Sequence, residues 1–270
     1  MTSTALMAEL LSPATVKHVG QIAREAGQRV YRHFFAAFKV WEKGPGDLLT
    51  DADVEAHDYI TKALTTAFPQ TLVWSEEGEI PEDPDRPLWL VDPVDGTTNF
   101  AHRFPVFVVS IALWWEGKPV LGVVYDPLRD HLFSALRGRG ACLNHRHRLH
   151  VTSTTRLDRA LIACDWTRGR SRPRLIAAVN AIGHEVQALR CLGAAALSLA
   201  YVAAGWLDAY FNAQLQPWDF AAGALLVEEA GGLTSDWQGN PLPLDTTTVL
   251  ASTPYLYPVL KSRLSACLST

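Results

Sequence analysis

Apolar residues recur at mostly helical spacing over residues 16–38, interrupted by Gly20 and Gly27, which predicts a long first helix. Gly44-Pro45-Gly46, within residues 41–49, marks a turn or hairpin. A second helix is expected over 53–68, with Asp51 or Asp53 near its N-cap. Residues 71–74 read as a short strand that runs into Ser75-Glu76-Glu77-Gly78. A loop rich in proline and acids follows at 81–87. Residues 88–91 are an apolar strand, which Pro93 should stop because it removes a backbone donor. Runs at 106–115, 120–125 and 131–136, separated by short turns, predict an antiparallel sheet.

After Thr155 the pattern changes to alternation. Strands are expected at 161–164, 185–189, 207–211, 232–235 and 248–251, and helices at 174–182, 194–204, 218–230 and 255–264. The front is α+β and the back α/β-like, with a soft boundary between halves 1–150 and 151–270. The chain of 270 residues can bury a sizeable core, and 48% hydrophobic against 19% charged residues make it globular. A formal charge of -4 gives no electrostatic case for nucleic-acid binding. The first eleven residues lack a basic segment and a long apolar core, so no signal peptide is expected. No run approaches the roughly 18 apolar residues that a membrane span needs. Cys142, Cys164, Cys191 and Cys267 form no CxxC pair and read as free thiols in a reducing cytoplasm.

The stretch richest in chemistry is Trp89-Leu90-Val91-Asp92-Pro93-Val94-Asp95-Gly96-Thr97-Thr98-Asn99-Phe100. A buried strand opening into a carboxylate-rich turn can hold a hard cation. The turn can aim Asp92, Asp95 and the carbonyl of Val94 at one centre, with Gly96 free to adopt an unusual backbone conformation. Two carboxylates about 4 Å apart repel by roughly 4 kcal/mol at an effective dielectric of about 20. A divalent cation removes that penalty, and oxygen-only ligands suit Mg²⁺. Taken alone, Asp-Pro-Val-Asp reads as a turn with two solvated acids, and Asp219 as a helix N-cap. Glu76, the acids of Asp47-Leu48-Leu49-Thr50-Asp51-Ala52-Asp53 and the Gly96-Thr97-Thr98 donors shift that balance. Together these segments offer Mg²⁺ ligands beside an anion cradle.

Residues 89–105 resemble the first signature of the inositol monophosphatase family. Pro217-Trp218-Asp219-Phe220-Ala221-Ala222-Gly223, running on to Glu229-Ala230-Gly231-Gly232, resembles the second. Lys43-Gly44 with Asp47 to Thr50 and Asp53 is similar to the N-terminal motif, and Ser75-Glu76-Glu77 to the glutamate motif. The resemblance implies an α+β fold layered αβαβα, a homodimer, and lithium-sensitive, Mg²⁺-dependent hydrolysis of a small phosphorylated alcohol. It implies that Glu76, Asp92 and the Val94 carbonyl hold one metal, and Asp92, Asp95 and Asp219 a second. A third, weaker ion would sit near Glu76 through water. Backbone N–H groups of Gly96 and Thr97 would bind phosphate, and Thr97 with Asp53 or Glu76 would activate water. Asp95 would also reach a substrate hydroxyl.

Departures from the family's pattern fall on the alcohol side. Members acting on inositol phosphates usually carry glutamate where this chain has Asn212. A hydroxyl residue commonly follows the glycine at Gly193; here Ala194, Ala195 and Ala196 follow. Inositol 1-phosphate leads the expected substrates. Histidinol phosphate, fructose 1,6-bisphosphate and 3′-phosphoadenosine 5′-phosphate are alternatives, and a protein- or RNA-linked regulatory scaffold is the alternative of another class. Arg168, Arg170, Arg172 and Arg174 read either as a solvated helix start or as a grip for a second anion. His145, His147 and His150, mixed with Arg146 and Arg148, read as a hairpin edge rather than a metal site. Trp114, Trp115, Trp206 and Trp237 are expected in the core or at a dimer interface.

Overall fold

The computed structural model describes residues 10–81, 86–167 and 169–269. Residues 1–9 of the stretch in which no signal peptide is expected, the centre of the proline- and acid-rich loop, and Arg168 lie outside them. The first helix, α1, is Pro13–Phe35: Ser12 caps it, accepting from Thr15 N at 3.1 Å, and Pro13 begins it. It therefore starts and ends three residues earlier than the spacing predicts. Its apolar stripe (Val19, Ile22, Ala23, Ala26, Val30) is buried. Strands β1 (Val40–Gly44) and β2 (Asp47–Thr50) form the expected hairpin. Helix α2 is Asp51–Ala67, and its N-cap is Thr50 rather than either aspartate. Asp53 sits at the third helical position and closes a capping box with Thr50.

Seven strands make the first sheet: β3 (Leu72–Ser75), β4 (Leu88–Asp95), β5 (Val108–Trp115), β6 (Lys118–Asp126), β7 (His131–Leu136), β8 (Gly140–Leu143) and β9 (His147–Arg148). Only β3 and β4 run parallel; the other neighbours are antiparallel. A five-residue helix, α3 (Thr97–Ala101), follows β4. The second sheet holds β10 (Leu161–Cys164), β11 (Ala188–Arg190), β12 (Ala209–Asn212), β13 (Leu233–Ser235) and β14 (Val249–Ser252), in the order β11-β10-β12-β14-β13. The remaining helices are α4 (Arg172–Gly183), α5 (Ala195–Ala203), α6 (Pro217–Glu229) and α7 (Tyr257–Ser265). Among the described residues, no helix is long and apolar enough to cross a membrane.

Strand alternation sets the layers. On β4, Trp89 and Val91 pack with Ile22, Ile60 and Leu64 of α1 and α2, while Leu90 packs with Leu197, Leu199 and Leu225 of α5 and α6. On the second sheet, Ala163, Tyr210 and Ala251 join that same middle core, whereas Ile162, Phe211 and Leu250 pack with Leu175 of α4 and Leu260 of α7. The order is α1/α2, sheet, α5/α6, sheet, α4/α7, the αβαβα sandwich expected. Trp237 and Trp114 are core residues, while Trp206 is 44% exposed. His147 lies on exposed β9, at the end of the sheet.

The middle layer is close-packed on glycine. A Cβ at Gly122 of β6 would lie 2.8 Å from the Ala222 carbonyl oxygen and 3.0 Å from its Cα, both on α6. Backbone cannot rotate aside as a side chain can. Gly122→Val should therefore cost about 1–3 kcal/mol, read as a lower denaturant midpoint at constant slope. An unchanged midpoint would mean that α6 shifts off the sheet freely.

Candidate active site

The site is built where β4 breaks its regular pairing. Asp92 pairs with Ser110 and Asp95 with Val108, so three steps on β4 oppose two on β5. That bulge corrects the expectation for Pro93: the strand bends but continues to Asp95. Asp92 and Asp95 are 2% and 6% exposed, so two acids stand almost out of water. Gly96 then turns with φ 103; a Cβ there would lie 2.9 Å from the Val106 carbonyl. Thr97 follows at the start of α3.

Other elements bring their acids to this point. The parallel register sets Ser75 beside Val91, and Glu76 N donates to the Val91 carbonyl at 3.0 Å, which puts Glu76 next to Asp92. Ser110 Oγ donates to the Trp218 carbonyl at 3.1 Å and ties the start of α6 to β5. There the N-cap is Gln216 rather than Asp219, which sits at the third helical position, accepts from Gln216 N at 2.7 Å in a capping box and faces the other acids. The Asp95 carboxylate accepts from Ala195 N and Ala196 N at 2.9 Å and from Leu197 N at 3.3 Å, all at the start of α5. Thr97 Oγ1 lies within donating distance of Asp53 Oδ1 (3.2 Å) and the Val94 carbonyl (3.0 Å). Thr50 N holds the other Asp53 oxygen at 2.8 Å.

Burial first, then the charges of Glu76, Asp95, Asp219 and Asp53, holds Asp92 well above the usual carboxylate range. Burial, then Glu76, does the same to Asp219. Burial and the neighbouring Asp165 push Asp95 to about 7, against the pull of its three backbone donors. Burial raises Glu76 too, while Lys43 works the other way. Lys43 Nζ contacts Glu76 at 3.2 Å and Glu77 at 2.6 Å. Burial also raises Asp53 to about 7, opposed by its Thr50 donors.

As placed, the side chains surround a common region without closing on one point. Among the described residues, no three His, Cys, Asp or Glu groups form a finished ligand shell. Asp95, Asp219, Asp53 and Glu76 lean on the donors named above, and Asp92 Oδ1 accepts from Val94 N at 3.0 Å. The donor chemistry nevertheless fits Mg²⁺: every candidate is an oxygen, and each acid raises the cost of ionising the next. The sign of the pH dependence follows. Asp53 and Asp95 ionise near 3.8 when unfolded and near 7 when folded, so metal-free stability falls as pH rises from about 4 to 7. Added Mg²⁺ should raise the melting temperature more at pH 8 than at pH 5. An equal rise at both would mean that these acids do not bind it.

The alcohol-side residues separate by role. Gly193 has φ 70, its N–H bonded to Asp165 Oδ1 at 2.6 Å. Ala194 is extended, and Ala195 acts through its N–H on Asp95. Asn212 is 2% exposed; its Nδ2 donates to the Tyr210 hydroxyl (3.1 Å) and the Asp165 carbonyl (3.4 Å), and its Oδ1 accepts from Gln214 N (2.9 Å). Both amide hydrogens are thus engaged inside the fold. Of the arginine loop, Arg172 Nε donates to the Thr167 carbonyl and its guanidinium lies 5.6 Å from the Trp166 ring centre. Sequence reasoning missed Asp165, Tyr210 and Asn99. Only Asp165 left a signal: it ends the apolar run 161–164 as Asp92 ends 88–91.

The sequence model of the inositol monophosphatase family matches residues 13–268. The chain belongs to the inositol monophosphatase family. An inositol-1-monophosphatase of Mesorhizobium japonicum is 42% identical over 237 residues, 86% of this chain and 88% of that protein. A Nus factor SuhB of Escherichia coli is 39% identical over 238 residues, with the same coverage of 86% and 88%. The crystal structure of the extragenic suppressor protein SuhB of Bartonella henselae matches with a TM-score of 0.88 at 38% identity, covering 93% of this chain and 98% of that one. The chain is a phosphoric monoester hydrolase, and its family works with a divalent metal.

Proposed function

We propose that this chain is a cytoplasmic homodimer that hydrolyses a small phosphorylated alcohol with Mg²⁺, inositol 1-phosphate first. One observation carries the reading: Asp92 stands among Glu76, Asp95 and Asp219, beside the hydrogen-bonded pair Thr97–Asp53. Glu76, Asp92 and the Val94 carbonyl would hold one ion, Asp92, Asp95 and Asp219 a second, and Glu76 a third more weakly through water. Bound Mg²⁺ supplies positive charge for the phosphate oxygens and the departing alkoxide. Gly96 and Thr97 present N–H groups to the phosphate. Thr97, donating to Asp53, keeps its oxygen lone pairs for the attacking water and relays the proton to the aspartate. Positioning and charge suffice because a loose phosphoryl-transfer transition state needs little covalent help. Lithium would inhibit by competing for one of these ion positions.

The alcohol is read less directly than the phosphate, because Asn212 spends its amide within the fold. Phosphate release is measured with and without Mg²⁺ on inositol 1-phosphate, histidinol phosphate, fructose 1,6-bisphosphate and 3′-phosphoadenosine 5′-phosphate. Mg²⁺-dependent turnover led by inositol 1-phosphate is the expected result. Another favourite corrects the alcohol, and no turnover by folded, Mg²⁺-binding protein overturns the reading on this panel.

A second reading has its own support, since a relative at 39% identity is named Nus factor SuhB. On it, the scaffold serves a protein or RNA complex and catalysis is incidental. Recovery of such a complex by an Asp95→Asn variant as fully as by the wild type would favour that role.

A further inference from the structure

The turn between β11 and α5 is clamped from two sides. From α3, which follows β4, Asn99 Nδ2 lies within donating distance of the carbonyls of Leu192 (2.8 Å), Val106 (2.9 Å) and Gly193 (3.3 Å). From the second sheet, Asp165 Oδ1 accepts from Gly193 N at 2.6 Å. Glycine suits this turn: φ is 70, and a Cβ at Gly193 would press on Asn99 Nδ2 at 3.0 Å, so the Asn99 side chain would have to give. Immediately after this turn, Ala195, Ala196 and Leu197 aim their N–H groups at Asp95. The seat of Asp95 is therefore set by where the turn delivers α5.

Asp165 is an odd residue to find there. It is 7% exposed and stands close enough to Asp95 to raise its pKa. Among the described residues, the partners of its carboxylate are neutral: the Gly193 N–H and the Tyr210 hydroxyl. Burying a carboxylate against another acid, without a cation, is costly. Its chemistry gives the reason. One donor holds each of its oxygens, and only a carboxylate has two acceptor oxygens to receive them; an amide of the same shape has one. Tyr210 is itself fixed, because Asn212 Nδ2 donates to its hydroxyl at 3.1 Å. A chain of contacts runs from Asn212 through Tyr210 and Asp165 to Gly193, and from there through the start of α5 to Asp95.

We infer that Asp165 is a positioning residue: by holding Gly193 it places the start of α5, and so the Asp95 carboxylate, for Mg²⁺ binding. The inference rests on the reading of Asp95 as a Mg²⁺ ligand. It gives Asn212 a place in the same chain, as the outer support of Tyr210 rather than a contact of the alcohol.

The test is Mg²⁺ binding by titration calorimetry on wild type, Asp95→Asn, Asp165→Asn and Tyr210→Phe, with fold checked by circular dichroism. Asp165→Asn should weaken Mg²⁺ binding by about 10- to 100-fold, the range for groups that orient metal ligands. At saturating Mg²⁺ its kcat should return to within about threefold of wild type, because the reacting groups remain. Tyr210→Phe, which removes one donor and leaves the charge, should weaken binding in the same direction by a smaller factor, and it decides the matter if Asp165→Asn does not fold. A lower melting temperature with unchanged Mg²⁺ affinity in both variants would make Asp165 merely structural and overturn the inference. If Asp95→Asn itself binds Mg²⁺ like wild type, the site reading fails first, and the inference falls with it.

Discussion

Asp95→Asn should lower kcat by about a thousandfold, some 4 kcal/mol of transition-state stabilisation, while the protein stays folded. The two halves of that expectation have different causes. The fold survives because Asp95 is held by three backbone N–H groups of α5, and an asparagine oxygen can still accept from some of them. Removing the charge also relieves repulsion with buried Asp165 and Asp92. Catalysis does not survive, because an amide brings no negative charge to the cation it is read to share with Asp92 and Asp219. The check is kcat at saturating Mg²⁺ beside a melting curve. Turnover within about tenfold of wild type would remove Asp95 from the metal set.

Much of the frame was legible because period and burial agree. Leu88 to Val91 is a continuous apolar run, and the structure buries Trp89 and Val91 on one face and Leu90 on the other. Helix α5 carries apolar residues on almost every side, and that is how a helix between two sheets must look; all of its residues but Tyr201 are buried. What the sequence hid depends on distant partners. Pro93 was a reasonable stop until β5 supplied a neighbour for a bulged strand. Thr50, Asp51 and Asp53 are all good capping types, and only the chain's path decides which one caps. Asn212 stands where the family carries a glutamate for the alcohol, and its partners Tyr210 and Asp165 meet it only after β12 lies beside β10. Glu76 stands near Asp92 because the parallel register of β3 and β4 aligns the two strand ends.

Thr97→Ala should cost about 10²- to 10⁴-fold in kcat, the range for a positioned proton-transfer group, and leave Mg²⁺ affinity unchanged. The Thr97 hydroxyl reaches Asp53 Oδ1 at 3.2 Å. Asp53 cannot follow the lost partner: its second oxygen is bound by Thr50 N at 2.8 Å, and the residue is 1% exposed at the start of α2. The truncation therefore leaves a base out of reach of the water it serves, with the carboxylates around Asp92 untouched. That separates it from Asp95→Asn, in which Mg²⁺ binding and rate fall together. Thr97→Ser is the control, since it keeps the hydroxyl and loses only a methyl group; its kcat should stay within about tenfold of wild type. If alanine and serine behave alike, and both near wild type, water is activated without this pair. Asp53 would then be what its place in the helix already makes it, the third residue of a capping box with Thr50.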